Sequence, residues 1–221
     1  MKEAISWFKK QFDTAINSAL KNTPFSLDML TAIAIQETYE VWGSIYTKLS
    51  ADEILKVCVG DTIDAPNRSA FPVNKAALLK AADGDKMFTI AREALVEMGE
   101  QIAAYGDIAK KHPDKFCHAF GIFQYDLQFF KTNPGYFLNK EWYQFDKCLA
   151  LCISELQSAL KIAYPKGNAT LTDDEMVYVA IAYNCGKVNF TKGFKQGYKD
   201  GSGKYYGEYI SEYIKLCKTV K

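Results

Sequence analysis

The chain has 221 residues, 48% of them apolar and 24% charged, with a net charge of +1. That is enough apolar material for one filled core carrying a large insertion, and too balanced a charge for a disordered chain or a general nucleic-acid binder. No stretch approaches the roughly 20 consecutive apolar residues of a membrane span, and Met1 to Lys10 is amphipathic, unlike a secretion signal.

Helical periodicity dominates, so the class expected is all-α. Ile5, Phe8, Phe12, Ile16 and Leu20 recur every three or four residues and predict an opening helix with one apolar face. Pro24 suits the first turn of a second helix running through Leu27, Leu30, Ile33 and Ile35 to about Tyr39. Ser50 with Glu53 forms a capping box for a short helix that Gly60 ends. Residues Asp61 to Asn74 carry two prolines, an arginine and two aspartates without periodicity and read as a loop.

Helices are predicted over Lys75 to Ala82 and from about Asp85 to Lys110, before His112-Pro113 breaks the pattern. An irregular segment, Phe116 to Tyr125, precedes a long helix from about Trp142 to Ala163, which Pro165 and Gly167 stop. Thr172 with Glu175 opens another helix, ending at Asn184. A glycine- and aromatic-rich stretch then leads to a final helix near Glu208 to Thr219.

Between Lys187 and Lys221 eight lysines face three acidic residues, net +5, which leaves the first 186 residues at −4. A basic end of this kind favours an anionic polymer or is a solvated lysine-rich surface. The six cysteines are too scattered for a disulfide scaffold, and most read as small buried apolar side chains. Cys148 and Cys152 lie four apart on a helix, but two histidines and no close Cys-x-x-Cys pair argue against zinc. No metal or cofactor is expected.

Three segments carry chemistry. Ala32-Ile33-Ala34-Ile35-Gln36-Glu37-Thr38 puts a carboxylate at the end of a largely apolar helix, where desolvation raises its pKa toward that of a general acid working near neutral pH. In Gly121-Ile122-Phe123-Gln124 the glycine permits a close backbone approach, Phe123 offers an aromatic face to a ligand or packs inward, and Gln124 offers a donor and an acceptor. In Ala182-Tyr183-Asn184-Cys185-Gly186 a glycine-capped helix ends on two neutral polar side chains that can face a groove.

In this order the segments resemble the soluble lytic transglycosylases and goose-type lysozymes. That family shows Glu-Ser at the end of an apolar helix, then Gly-Leu-Met-Gln, then Ala-Tyr-Asn-Ala-Gly, then a late Tyr-Val. The corresponding pieces are Glu37-Thr38, Gly121 to Gln124, Ala182 to Gly186 and Tyr209-Ile210, with Tyr213-Ile214 repeating the last pattern one helical turn on. The resemblance spans about Phe25 to Ile214. Thr38, Phe123 and Cys185 depart from the family's serine, methionine and alanine, and the distance from Glu37 to Gly121 is far longer than the family leads one to expect.

The resemblance implies a single lysozyme-like helical domain over residues 1–221, with a large helical insertion at about 45–115 that forms a wall or lid. It implies cleavage of the β-1,4 bond between N-acetylmuramic acid and N-acetylglucosamine in peptidoglycan by a lytic transglycosylase or muramidase. Glu37 would be the acid, with Gly121, Phe123, Gln124, Tyr183, Asn184 and Tyr209 on the substrate side. If water is the nucleophile, a second carboxylate about 6.5 to 9.5 Å from the acid is required, and Asp64, with Asp61 in reserve, is the candidate. The alternatives are a chitin-cleaving hydrolase of the same fold and a cell-wall glycan-binding module without turnover, served by the aromatic-rich stretch from Lys187 to Tyr213. The expected setting is the cell wall, reached by a route other than a signal peptide in this chain, with the protein a monomer and its partner peptidoglycan or a related N-acetylglucosamine polymer.

Overall fold

The computed structural model describes residues 1–62 and 69–221. It is mostly helical, 64% helix and 4% strand, an all-α class. In chain order the helices are α1 (Lys2–Ala19), α2 (Leu27–Ile45), α3 (Ala51–Val57), α4 (Lys75–Leu79), α5 (Gly84–Gln101), α6 (Ala103–Lys111), α7 (Pro134–Leu138), α8 (Phe145–Ala163), α9 (Asp173–Cys185) and α10 (Tyr206–Lys218). Among the described residues none is long and apolar enough to cross a membrane. Three two-residue strands, β1 (Val59–Gly60), β2 (Ala119–Phe120) and β3 (Tyr125–Asp126), pair antiparallel in that order.

The chain divides into two compact units. The first comprises Met1–Glu37 and Leu149–Lys221, the second Thr38–Cys148. The middle of the chain has its own aromatic core, which is why it stands as a unit and takes in the Gly121 to Gln124 segment.

In the first unit the predicted face of α1 is buried at all five positions, Ile5, Phe8, Phe12, Ile16 and Leu20. Lys9 lies among them with its ammonium satisfied: Nζ donates to Asp28 Oδ1 at 2.7 Å and to the carbonyls of Cys217 at 2.8 Å and Val220 at 2.7 Å. A buried ammonium is tolerable only when paired and hydrogen-bonded, and here it also meets the negative end of the α10 dipole. The first unit thus has α1, the start of α2 and the end of α10 joined at one charge. Thr172 and Glu175 form the reciprocal capping box that starts α9, and Gly186 in a left-handed conformation closes it.

Helix α2 begins at Leu27, three residues after Pro24, because the Ser26 hydroxyl caps it by accepting from the Met29 amide at 3.2 Å. It also runs past Tyr39 to Ile45, since Val41, Trp42 and Ile45 continue the apolar spacing and are buried. Glu37 therefore sits inside a helix and not at its end.

In the second unit Trp42, Phe116, Phe120, Tyr136, Phe137 and Trp142 are fully buried. Ser50 and Glu53 make the expected capping box, but α3 stops at Val57 and Gly60 belongs to β1. The helix predicted from Asp85 to Lys110 is broken at Ile102, whose backbone is extended. A β-carbon on Gly99 would lie 2.7 Å from Gly106 Cα, so the two glycines let α5 and α6 cross in backbone contact. The Arg92 guanidinium donates to the carbonyls of Ala109, His112 (3.1 Å) and Lys115 (3.0 Å), satisfying the end of α6 and the turn beyond it.

Candidate functional site

Glu37 follows Ala32, Ile33, Ala34 and Ile35, all buried, and is itself half-buried. Burial raises its pKa from the ordinary 4.5 to about 7, against the opposing effect of a hydrogen bond to Tyr206. That bond runs from the Tyr206 hydroxyl to Glu37 Oε1 at 2.8 Å. Tyr206, only 2% exposed, is the first residue of α10. Burial first, and then the Glu37 carboxylate, push its phenol pKa well above the usual value, so it stays a donor at any working pH.

Tyr183 on α9 joins the same cluster. Its hydroxyl pKa is raised by burial, by the nearby Cys152 and Glu37, and by a hydrogen bond with Cys152. A carboxyl that is half-protonated at neutrality thus takes a hydrogen bond from one phenol that keeps its proton, Tyr206, with a second, Tyr183, near enough to feel its charge. The cluster can give a proton, hold the resulting anion, and take a proton back.

The other predicted positions of this unit serve the segment after α9. Asn184 Oδ1 accepts from the Tyr198 amide at 2.9 Å. Tyr209 donates to Asp200 Oδ2 at 2.5 Å and stacks on Tyr213 with centroids 5.9 Å apart. That hydrogen bond, with others from Ser202 and Lys204, pulls Asp200 down to about 2. Both side chains shape the loop over residues 197–205, and Tyr206 is the tyrosine on Glu37. Sequence reading missed Tyr206, although the signal is present: Tyr206, Ile210 and Ile214 recur every four residues on the buried face of α10, with Tyr209 and Tyr213 on another.

In the second unit Gly121 to Gln124 form the turn between β2 and β3, with Phe120 paired to Tyr125. Gly121 has φ +84°, and a β-carbon there would lie 2.6 Å from Tyr136 Oη and 2.7 Å from Cys148 Sγ. Gln124, itself at φ 53°, folds its carboxamide back to donate to the Gly121 carbonyl at 2.8 Å. Phe123 is 3% exposed and meets Phe145 with centroids 6.0 Å apart, so of the two roles weighed for it the packed one is observed. The Ile122 carbonyl accepts from the Thr38 hydroxyl at 2.8 Å, which gives the threonine a fixed role in this unit.

Asp64 lies outside the described residues, and Asp61, at the edge of that gap, has φ 46°. Five of the cysteines are buried, Cys185 is half-buried, and none of the six is in a disulfide. Among the described residues no three His, Cys, Asp or Glu side chains gather as metal ligands. No family model, no curated protein and no solved structure matches the chain.

Proposed function

We propose that the chain cleaves the β-1,4 bond between N-acetylmuramic acid and N-acetylglucosamine in peptidoglycan, with Glu37 as general acid and then base, on a lysozyme-like helical scaffold acting at the cell wall. The observation that carries this reading is the Glu37 carboxyl held at a pKa of about 7 with the Tyr206 hydroxyl on its Oε1. Glycosidic cleavage needs a proton delivered to the leaving oxygen as positive charge develops on the sugar carbon. An ordinary carboxyl is ionised at neutral pH and has none to give. One titrating near 7 is about half protonated there, the match that favours general acid catalysis.

Once the proton has left, the anion is stabilised by the charge-assisted bond from Tyr206. It can then accept the proton of the 6-hydroxyl as that oxygen attacks the sugar's C1. The C1 bond to the leaving oxygen breaks, a C1 bond to O6 forms, the Glu37 proton ends on the leaving hydroxyl, and the 6-hydroxyl proton ends on Glu37. No second carboxylate is needed in that sequence. In the hydrolytic variant water replaces the 6-hydroxyl, and a second carboxylate must then activate it. Tyr183, a neutral phenol hydrogen-bonded to Cys152 and near enough to Glu37 to feel its charge, positions the sugar.

The test is incubation with purified peptidoglycan and with chitin oligomers, followed by mass analysis of soluble products. Soluble muropeptides from peptidoglycan are expected; anhydro ends assign the attack to the 6-hydroxyl and reducing ends assign it to water. Release from chitin alone, or from neither polymer, overturns the reading.

A further inference from the structure

The segment that follows α9 encloses an open cleft of about 750 Å³ within the first unit, a volume in the range of small-ligand sites. Lys187, Lys192 and Lys195 line it together with Gln196, Tyr205 and Cys185, and among the described residues no aspartate or glutamate does. Other lysines of the region are neutralised, Lys204 by Glu212 and Lys218 by Asp173. Among the described residues none of the three cleft lysines is in an ion pair. The C-terminal end of α9 contributes about −0.5 charge, far less than three ammonium groups supply. The cleft is cationic on balance.

Its shape is held by neutral bonds. Gln196 Oε1 accepts from the Asn189 amide at 2.7 Å, and its Nε2 donates to the carbonyls of Asn189 at 2.8 Å and Gly193 at 2.5 Å. The loop carrying Lys192 and Lys195 is thus tied without using their charge. The cleft also borders the acid's support. Tyr205 is bonded in sequence to Tyr206, the residue on Glu37, and Cys185 is close enough to Tyr206 to act on its phenol.

We propose that the Lys187, Lys192 and Lys195 cleft is a subsite for carboxylates carried by the glycan, so that the protein selects peptide-substituted, anionic strands over neutral N-acetylglucosamine polymers. This rests on the glycan-cleaving reading above. A neutral polymer offers nothing to three ammonium groups, whereas the carboxylates of the stem peptides give them partners. Exposed ion pairs are individually weak, each about twofold in affinity, so the three together predict roughly a tenfold effect.

The experiment measures binding by the Glu37→Gln chain, which removes turnover, to soluble peptidoglycan strands, to the same strands with their carboxylates converted to methylamides, and to a glycerol-phosphate polymer. Amidation is expected to weaken binding about tenfold. Adding Lys187→Gln, Lys192→Gln and Lys195→Gln, all at exposed positions, is expected to shrink that difference below about twofold while circular dichroism stays unchanged. Equal binding of native and amidated strands, full discrimination by the triple-glutamine chain, or no binding to any strand overturns the proposal. So does a glycerol-phosphate polymer that binds as tightly as the strands, because the site would then take phosphate. The cleavage reading is judged separately, by turnover of the chain that retains Glu37; absent turnover with intact discrimination sinks that reading and leaves the cleft as a binding site.

Discussion

The Tyr206 hydroxyl donates to Glu37 Oε1 at 2.8 Å and, among the described residues, is the side-chain bond that opposes the effect of burial on that carboxyl. Removing it should raise the Glu37 pKa further. Tyr206→Phe is expected to move the alkaline limb of the pH–rate profile upward by about one pH unit, the equivalent of one hydrogen bond to a charged acceptor, and to lower the maximal rate by stranding the anion. A profile measured between pH 5 and 9 checks this; a limb that stays in place or moves down removes Tyr206 from the account.

The same carboxyl makes stability depend on pH. Its folded pKa, about 7, lies above the ordinary 4.5 that holds in the unfolded chain. The folded state therefore binds the extra proton between those values, and stability falls as pH rises from 4.5 through 7. The gap corresponds to about 3 kcal/mol once both states are ionised. Glu37→Gln, neutral and of the same shape, is expected to unfold at higher urea than the parent at pH 8 and at similar urea at pH 4. Equal midpoints at pH 8 would show that the carboxyl carries no burial penalty.

Tyr209 and Tyr206 lie three residues apart and should behave differently. Tyr209 holds Asp200, pushed down to about 2, in the loop before α10. Tyr209→Phe is expected to raise the Asp200 pKa and to speed amide exchange over residues 198–204, leaving the pH limb set by Glu37 unmoved. A shift in that limb equal to the one from Tyr206→Phe would contradict the division of roles.

At Gly121 the chain combines φ +84° with side-chain atoms 2.6 and 2.7 Å from where a β-carbon would go. Gly121→Ala adds left-handed strain of about 1 kcal/mol and overpacking of about 1 to 3 kcal/mol. Urea unfolding should register a loss of about 2 to 4 kcal/mol. A loss below 0.5 kcal/mol, about the scale of a neutral surface change, would mean the turn relaxes freely.

Helix α1 could be read from residue spacing because it buries one continuous face, whereas α2 and α9, buried on most sides, were legible as apolar runs. The α1 stripe and the boxes at Ser50 and Thr172 are local features, and local rules suffice for them. What escaped the sequence depends on contacts between distant residues. Two-residue strands carry no periodicity, and the break at Ile102 follows from the approach of Gly99 to Gly106. The placement of Glu37 in an apolar helix was legible in Ala32 to Ile35. Its partner was not, because choosing among Tyr206, Tyr209 and Tyr213 requires the phase of α10, which the buried Ile210 and Ile214 supply.

The most direct measurement is the rate at which soluble fragments leave purified peptidoglycan in the presence of the parent chain and of Glu37→Gln, side by side at pH 6 to 7. With Glu37 as the proton donor, the substitution should cut the rate by at least about a thousandfold, within the range a positioned acid contributes, with an unchanged circular dichroism spectrum. Equal rates from the two chains would contradict the assignment of the acid, and no release by the parent would contradict the activity itself.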